Sequence, residues 1–283
     1  MSFCNSSRRA LLRGAACATA LGLGAVQAAR ADEAYDRIRA TGILKAAVYK
    51  DFFPFSDDDK GIDVDIARAL ADKLGLKLKL LPFDAGEEMN DDLRNMVWKG
   101  HYLGYGPADV LLHVPVESRL QQANEQVEIF APYWREELQI ARNKQRIADW
   151  DGGYSAFEHE KIAVDGASLA SIVMLGAEGG RYRNNVINER SVKDAIAVFR
   201  KGEAAAVMAT RAELEAGLAG LPDIGFEKVV QPGVPVNGWV VGLAVKRESM
   251  DLAHALQGAM NGLIEAGAIK EIFARYKVRY TRP

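Results

Sequence analysis

Strand-like and helix-like runs alternate along the chain, and that alternation restricts the fold more than any other feature of the sequence. Residues 43–49 form an apolar run rich in Leu, Ala and Val, a strand candidate. Asp63 is placed to cap a helix over 63–74, with Ile66, Ala67, Leu70 and Leu74 on one face and Gly75 as its stop. Leu76-Lys77-Leu78-Lys79-Leu80 alternates apolar and charged side chains, the period of a half-exposed strand. A short helix is expected over 91–99, closed by Gly100, and a buried strand over 109–114. Strand–helix–strand units need crossover connections and give a largely parallel sheet, so the class is α/β.

A second lobe begins near Glu137. Leu138 to Ala141 is an extended lead-in, 161–164 a strand and 167–175 a helix. Ser191 caps a helix that runs to Lys201 and stops at Gly202. A strand over 204–208, a helix over 210–218, a long apolar strand over 239–245 and two closing helices, 250–266 and 269–276, complete the pattern. Gln231-Pro232-Gly233-Val234-Pro235 is turn-rich and suits a return to the first lobe; 125–135 is the other expected crossing. The expected division is a leader at 1–31, lobe 1 from 32–135 plus 237–283, and lobe 2 from 136–236.

The N-terminus reads as an export signal. Ser7-Arg8-Arg9-Ala10-Leu11-Leu12-Arg13 is a paired-arginine head, Gly14 to Val26 an apolar body, and Val26-Gln27-Ala28 and Ala29-Arg30-Ala31 are small-residue exits. The body is shorter than the roughly 20 residues of a membrane span. The Ser-Arg-Arg-x-Leu-Leu order suits the twin-arginine route, with an ordinary Sec leader as the alternative. A mature chain starting near Asp32 is expected in the periplasm. Cleavage removes Arg8, Arg9, Arg13 and Arg30 and no acid, moving the formal charge from -2 to -6. Such a chain has no basic footprint for nucleic acid or an anionic membrane. Both cysteines, Cys4 and Cys17, leave with the leader, so no disulfide, thiol nucleophile or thiolate metal site is expected.

Several segments, in order, resemble the family 3 extracellular solute-binding proteins. They are Tyr35 to Lys45; Phe53-Pro54-Phe55 followed by Gly61-Ile62-Asp63-Val64-Asp65-Ile66-Ala67; Ile129-Phe130-Ala131-Pro132-Tyr133-Trp134; and Lys201-Gly202-Glu203-Ala204-Ala205-Ala206-Val207. The resemblance implies a two-lobed periplasmic binding protein-like fold of type II with two crossover strands, and a ligand held in the cleft. Asp92-Leu93-Arg94-Asn95-Met96-Val97 and Asp109 to Pro115 look similar to a narrower subset, associated with quinoprotein alcohol dehydrogenases.

What the resemblance implies for the site is specific. Arg119 is the nearest equivalent of the family's carboxylate-gripping arginine, although it falls early. Thr210 stands where the family has an aspartate for the ligand's ammonium, which argues against a standard α-amino acid, because a hydroxyl is no counter-ion. Thr210 also reads as a helix cap. Asp165-Gly166-Ala167-Ser168 matches the second ligand loop, where Gly166 allows close approach and Ser168 offers a hydroxyl or a plain cap. Phe53, Phe55 and Tyr133 suit an aromatic cleft wall or core packing. His113 stands where a small residue is common. The stretch Trp98 to Pro107, which inserts a His, two Tyr and three Gly before the Asp109 strand, is expected to shape the cleft mouth or a partner surface. His101, His113, His159 and His254 show no metal-ligand spacing, and no metal or cofactor is expected.

The function expected is that of a non-enzymatic periplasmic receptor. It captures a small, anionic organic solute for an ABC importer permease. The alternative is an accessory protein of a periplasmic quinoprotein dehydrogenase or its cytochrome. An enzyme on this scaffold would need an acid or base among Glu117, Asp165 and His113.

Overall fold

A computed structural model describes residues 34–235 and 237–283. The expected leader and both cysteines lie outside the described residues. After helix α1 (34–41) come β1 (Ile43–Tyr49), α2 (Ile62–Lys73), β2 (Lys77–Phe83) and α3 (Met89–Leu93), which continues as a π-turn over Arg94–Trp98. Then follow β3 (Val110–Pro115), α4 (Ser118–Ala123) and β4 (Val127–Glu136). These strands and the later β10 (Trp239–Lys246) form one five-stranded sheet, ordered β2-β1-β3-β10-β4. β1 runs parallel to β2 and β3, whereas β10 returns antiparallel between β3 and β4.

The second sheet holds β5 (Leu138–Asn143), β6 (Ile162–Asp165), β7 (Val186–Glu189), β8 (Ala206–Thr210) and β9 (Ile224–Lys228), ordered β7-β6-β8-β5-β9. Helices α5 (Leu169–Gly176), α6 (Val192–Arg200) and α7 (Arg211–Gly217) flank it, and α8 (Met250–Glu265) and α9 (Ala268–Arg275) close the chain against the first sheet. Only Glu137 separates the end of β4 from the start of β5, so one extended segment passes straight from sheet to sheet. The return path runs from the end of β9 to Trp239.

Burial explains the strand order. β3 and β10 sit inside the first sheet and are covered on both faces. Their runs are accordingly near-continuous apolar sequence, with Val110 to Val114 and Val241 to Val245 buried. β2, at the sheet edge, keeps the alternating pattern of Lys77 to Leu80. Each lobe has its own core, one built around Leu44, Ile66, Leu70 and Phe273, the other around Ile140, Phe157, Val164 and Met208.

One local expectation is corrected. Asp63 does not cap α2: Gly61 holds that position, and Asp63 lies one step into the helix with its carboxylate buried. The stretch around Arg119, which the sequence pattern assigns to no element, is the short helix α4. No helix among the described residues is long and apolar enough to cross a membrane.

Candidate functional site

A cleft of about 880 Å3 lies between the two sheets, where strands β1, β3, β6 and β8 end. Loops following the carboxyl ends of parallel strands are the usual ligand platform of open α/β sheets. One wall comes from the first lobe: Tyr49, Phe52, Phe53, Asp92 and His113. The opposite wall comes from the second: Asp165, Ser168, Arg190, Lys193, Thr210 and Glu213. Glu136, Leu138, Trp239 and Val241 form the floor where the chain crosses.

His113 enters the cleft through a distortion of β3. Val114 pairs with Gly242 and Leu111 with Ala244, so two residues of β3 oppose the single Leu243 of β10. This is a β-bulge, and His113 adopts φ 62°, a left-handed conformation that costs a non-glycine residue about 1–3 kcal/mol. Gly242, which flanks the bulge on β10, also lets β4 come close on the other side, because a Cβ there would meet the Phe130 carbonyl oxygen at 2.4 Å. Specific bonds hold the strained residue. Its backbone N–H donates to the Tyr133 hydroxyl at 3.0 Å, that hydroxyl donates to Asp63 Oδ1 at 2.7 Å, and His113 Nδ1 lies 3.0 Å from Asp63 Oδ2. The imidazole is wedged edge-on between Phe52 and Phe55, with ring centroids 4.7 and 4.3 Å away. Burial beside the Asp63 carboxylate pushes the Tyr133 hydroxyl well above its usual pKa, so it stays a donor.

The second lobe supplies helix starts. Ser168 is the N-cap of α5: its hydroxyl accepts from Ser171 N at 3.4 Å and donates to the Asp165 carbonyl at 2.6 Å. The free amides of the first turn of α5, flanked by Leu169 and Ala170, thereby open on the cleft. Ser191 caps α6 in the same way, and Arg190 precedes it. Among the described cations that line the cleft, Lys50 is paired with Asp84 at 3.1 Å and Lys193 with Asp57 at 2.7 Å. Arg190, exposed, has neither an ion pair nor a hydrogen bond through its guanidinium.

Carboxylates line the walls and the floor. Glu213 Oε2 accepts from both the backbone N–H and the hydroxyl of Thr210, each at 2.8 Å. Its pKa is raised to about 7, by burial first and then by the neighbouring charges of Glu136 and Asp165, against the lowering effect of those bonds. Glu136 is itself buried and pushed upward by desolvation. It is held by N–H donors from Trp134 at 3.0 Å, Glu137 at 3.0 Å and Ala212 at 3.4 Å. Asp92, also raised by burial, accepts from Gly86 N at 2.8 Å and the Tyr49 hydroxyl at 3.0 Å.

Of the residues singled out in the sequence, Phe53, His113, Ser168 and Thr210 line the cleft. Phe55 and Tyr133 do not: both are buried in the first core, Phe55 against His113 and Tyr133 beneath it. Gly166 lies behind the lining, with the Glu189 carbonyl 3.3 Å from where a Cβ would be. Arg119 is exposed on α4 and outside the lining, because the helix formed there carries it away from the β3 terminus. The insertion after Lys99 lies outside the lining as well; Tyr102 and Leu103 are 88% and 68% exposed, and His101 stacks on Tyr105 at 4.2 Å.

The sequence reading missed Arg190 and Glu213. A signal existed for the second: Thr210-Arg211-Ala212-Glu213 has capping-box spacing, which brings the glutamate back onto the Thr210 N–H. Arg190 has no such local mark. Among the described residues no group of three or more His, Cys, Asp or Glu is placed to hold a metal.

No protein-family model matches the chain, and no curated protein matches it. Solved structures do. An ancestral cationic amino acid solute binding protein aligns with TM-score 0.65 at 18% identity, covering 86% of this chain and 98% of its own. An amino acid ABC transporter substrate-binding protein from Streptococcus pneumoniae, bound to L-arginine, aligns with TM-score 0.60 at 18% identity, covering 88% and 99%. A mutant of ArgBP from T. maritima aligns with TM-score 0.55 at 22% identity, covering 86% and 98%. At these identities the likeness is one of fold: the chain has the two-lobed periplasmic binding protein architecture.

Proposed function

We propose that this protein is a periplasmic solute receptor that captures a small carboxylate-bearing organic molecule between its lobes and presents it to an ABC-type importer. The observation that carries the reading is the second-lobe wall. Arg190, an unpaired guanidinium, and the capped start of α5 both line a cleft of about 880 Å3. A guanidinium and free helix-start amides both suit a carboxylate, the first by two parallel charge-assisted bonds. Phe52, Phe53 and Trp239 supply apolar surface for the rest of the solute.

Glu213 favours a second reading of the ligand. The argument against an amine rested on Thr210 alone, yet Glu213 brings a carboxylate oxygen within 2.8 Å of the Thr210 hydroxyl. An ammonium at this point would meet a counter-charge after all, so a zwitterionic solute fits as well as an amine-free acid. The arginine-bound neighbours support including amino acids among the candidates. The accessory role beside a quinoprotein dehydrogenase draws no support from the neighbours named above.

Calorimetric titration of the exported chain with amino acids, L-arginine included, and with amine-free mono- and dicarboxylates tests both readings. A one-to-one heat from a carboxylate-bearing compound supports the receptor reading. A Glu213→Gln variant that weakens amino acids but spares amine-free acids supports the zwitterion. Silence across the whole panel, with no thermal shift, overturns the proposal.

A further inference from the structure

The crossover segment carries a pocket on each of its faces. Successive side chains of an extended strand point to opposite sides. Glu136 and Leu138 line the cleft, whereas Arg135, Glu137 and Gln139 line a separate pocket of about 420 Å3. That pocket is closed by Arg211 and Glu215 of α7, Phe226 and Lys228 of β9, and Arg279 and Thr281 beyond α9. Both lobes therefore contribute to it, directly behind the hinge.

Its charge is unbalanced. Arg135, Arg211, Lys228 and Arg279 face Glu137 and Glu215, an excess of two positive charges. Arg211 is the critical member, being only 4% exposed and lying 4.3 Å above the Trp134 ring. Its Nη2 donates to Thr281 Oγ1 at 2.8 Å and to the Arg135 carbonyl at 3.3 Å, and Nη1 to the Arg279 carbonyl at 3.3 Å, but Nε makes no hydrogen bond. The nearest carboxylate oxygens, of Glu137 and Glu215, are 3.6 and 4.0 Å away. Gln139 also donates to Glu137 at 2.7 Å, and the Arg279 backbone N–H to Glu215 at 2.7 Å, which divides those two acids among several donors. With Nε unbonded and no carboxylate oxygen within hydrogen-bond distance, the buried positive charge retains part of its desolvation cost.

We propose that this pocket is a second binding site, for a small oxyanion carrying two negative charges, of the hydrogen phosphate, sulfate or dicarboxylate kind. Two charges neutralise the excess, and a tetrahedral or forked oxyanion accepts from several guanidinium N–H groups at once. The site is independent of what the main cleft binds. Its occupant bridges Arg135 and Arg279 of one lobe to Arg211 and Lys228 of the other, and so braces the crossover.

The test uses the exported chain with sodium sulfate and with sodium phosphate as probes, at low and constant ionic strength. Isothermal titration should show one site for sulfate, and amide exchange over 135–139 should slow on adding it. Lys228 and Arg279 are exposed, so Lys228→Ala/Arg279→Ala should fold and bind sulfate at least tenfold more weakly. Glu137→Gln, which removes a competing acid, should bind it several-fold more tightly. Phosphate should follow sulfate at pH 8, where it is a dianion, and weaken at pH 6. No saturable sulfate binding, equal affinity in the double variant, or unchanged exchange at the crossover would each overturn the proposal.

Discussion

Lys193 at the start of α6 reaches across the cleft mouth to Asp57 of the other lobe, Nζ to Oδ2 2.7 Å, with the same Nζ 5.8 Å from the Phe53 ring centroid. One side chain thus ties the two lobes by an ion pair and a cation–π contact. Phe53 continues the contact by packing against the second-lobe core, and Ala212 reciprocates in the first. Both charged side chains are 46% exposed, so the pair is a weak latch of about 1 kcal/mol or less.

Removing the latch should shift the lobes toward an open arrangement without unfolding them. Lys193→Ala should lower the closed population by no more than about fivefold, since 1 kcal/mol corresponds to roughly that ratio. Small-angle scattering in 20 mM and 500 mM salt checks it: the native protein should open slightly in high salt, and the variant should show little further change.

Arg190→Ala should weaken binding of a carboxylate-bearing solute by about 10–100-fold, the loss expected for charge-assisted bonds worth about 1.5–3 kcal/mol. Arg119→Ala should leave the affinity unchanged, because that side chain is outside the cleft lining. Titration of both variants with the same solute decides between the two arginines.

Glu213 makes stability fall as pH rises. Its pKa is about 7 in the folded protein against an ordinary 4.5, so the folded state holds the extra proton between those values. The unfolded state binds fewer protons in that window, and unfolding free energy therefore declines from about pH 4.5 to pH 7. The loss attributable to this group is at most about 3 kcal/mol. Glu213→Gln should flatten the decline relative to the native protein in urea titrations at pH 5 and pH 7. Glu136, Asp92 and Asp109, also raised by burial, contribute a residual slope of the same sign.

Tyr133→Phe should destabilise the fold by about 1–3 kcal/mol, because it strips the donor from Asp63 and leaves the buried His113 N–H without its acceptor. Urea unfolding measures this. Near-ultraviolet circular dichroism should change as well, since the Phe52 and Phe55 rings pack on the imidazole.

Local chemistry carried much of the architecture. The apolar runs of β3 and β10 and the alternation of β2 marked strands and their burial, and Ser191 marked the start of α6, because those signals depend only on neighbours in the chain. The order of helices and strands led to the α/β class for the same reason, and the resemblance of several ordered segments to a known family implied the two-lobed arrangement. Tertiary structure alone decided which side chains meet in the cleft. His113 faces it through a bulge set by the pairing of β3 with the distant strand β10; Arg190 rather than Arg119 stands at the cleft because α4 turns the latter away; Phe55 and Tyr133 are core because Asp63 and His113 close over them. The opposed pockets of the crossover depend on α7 and the C-terminal segment packing around one strand. Periodicity records whether a residue is buried, but which buried groups face each other is fixed by sheet order and long-range packing, and the chemistry of the cleft follows from that.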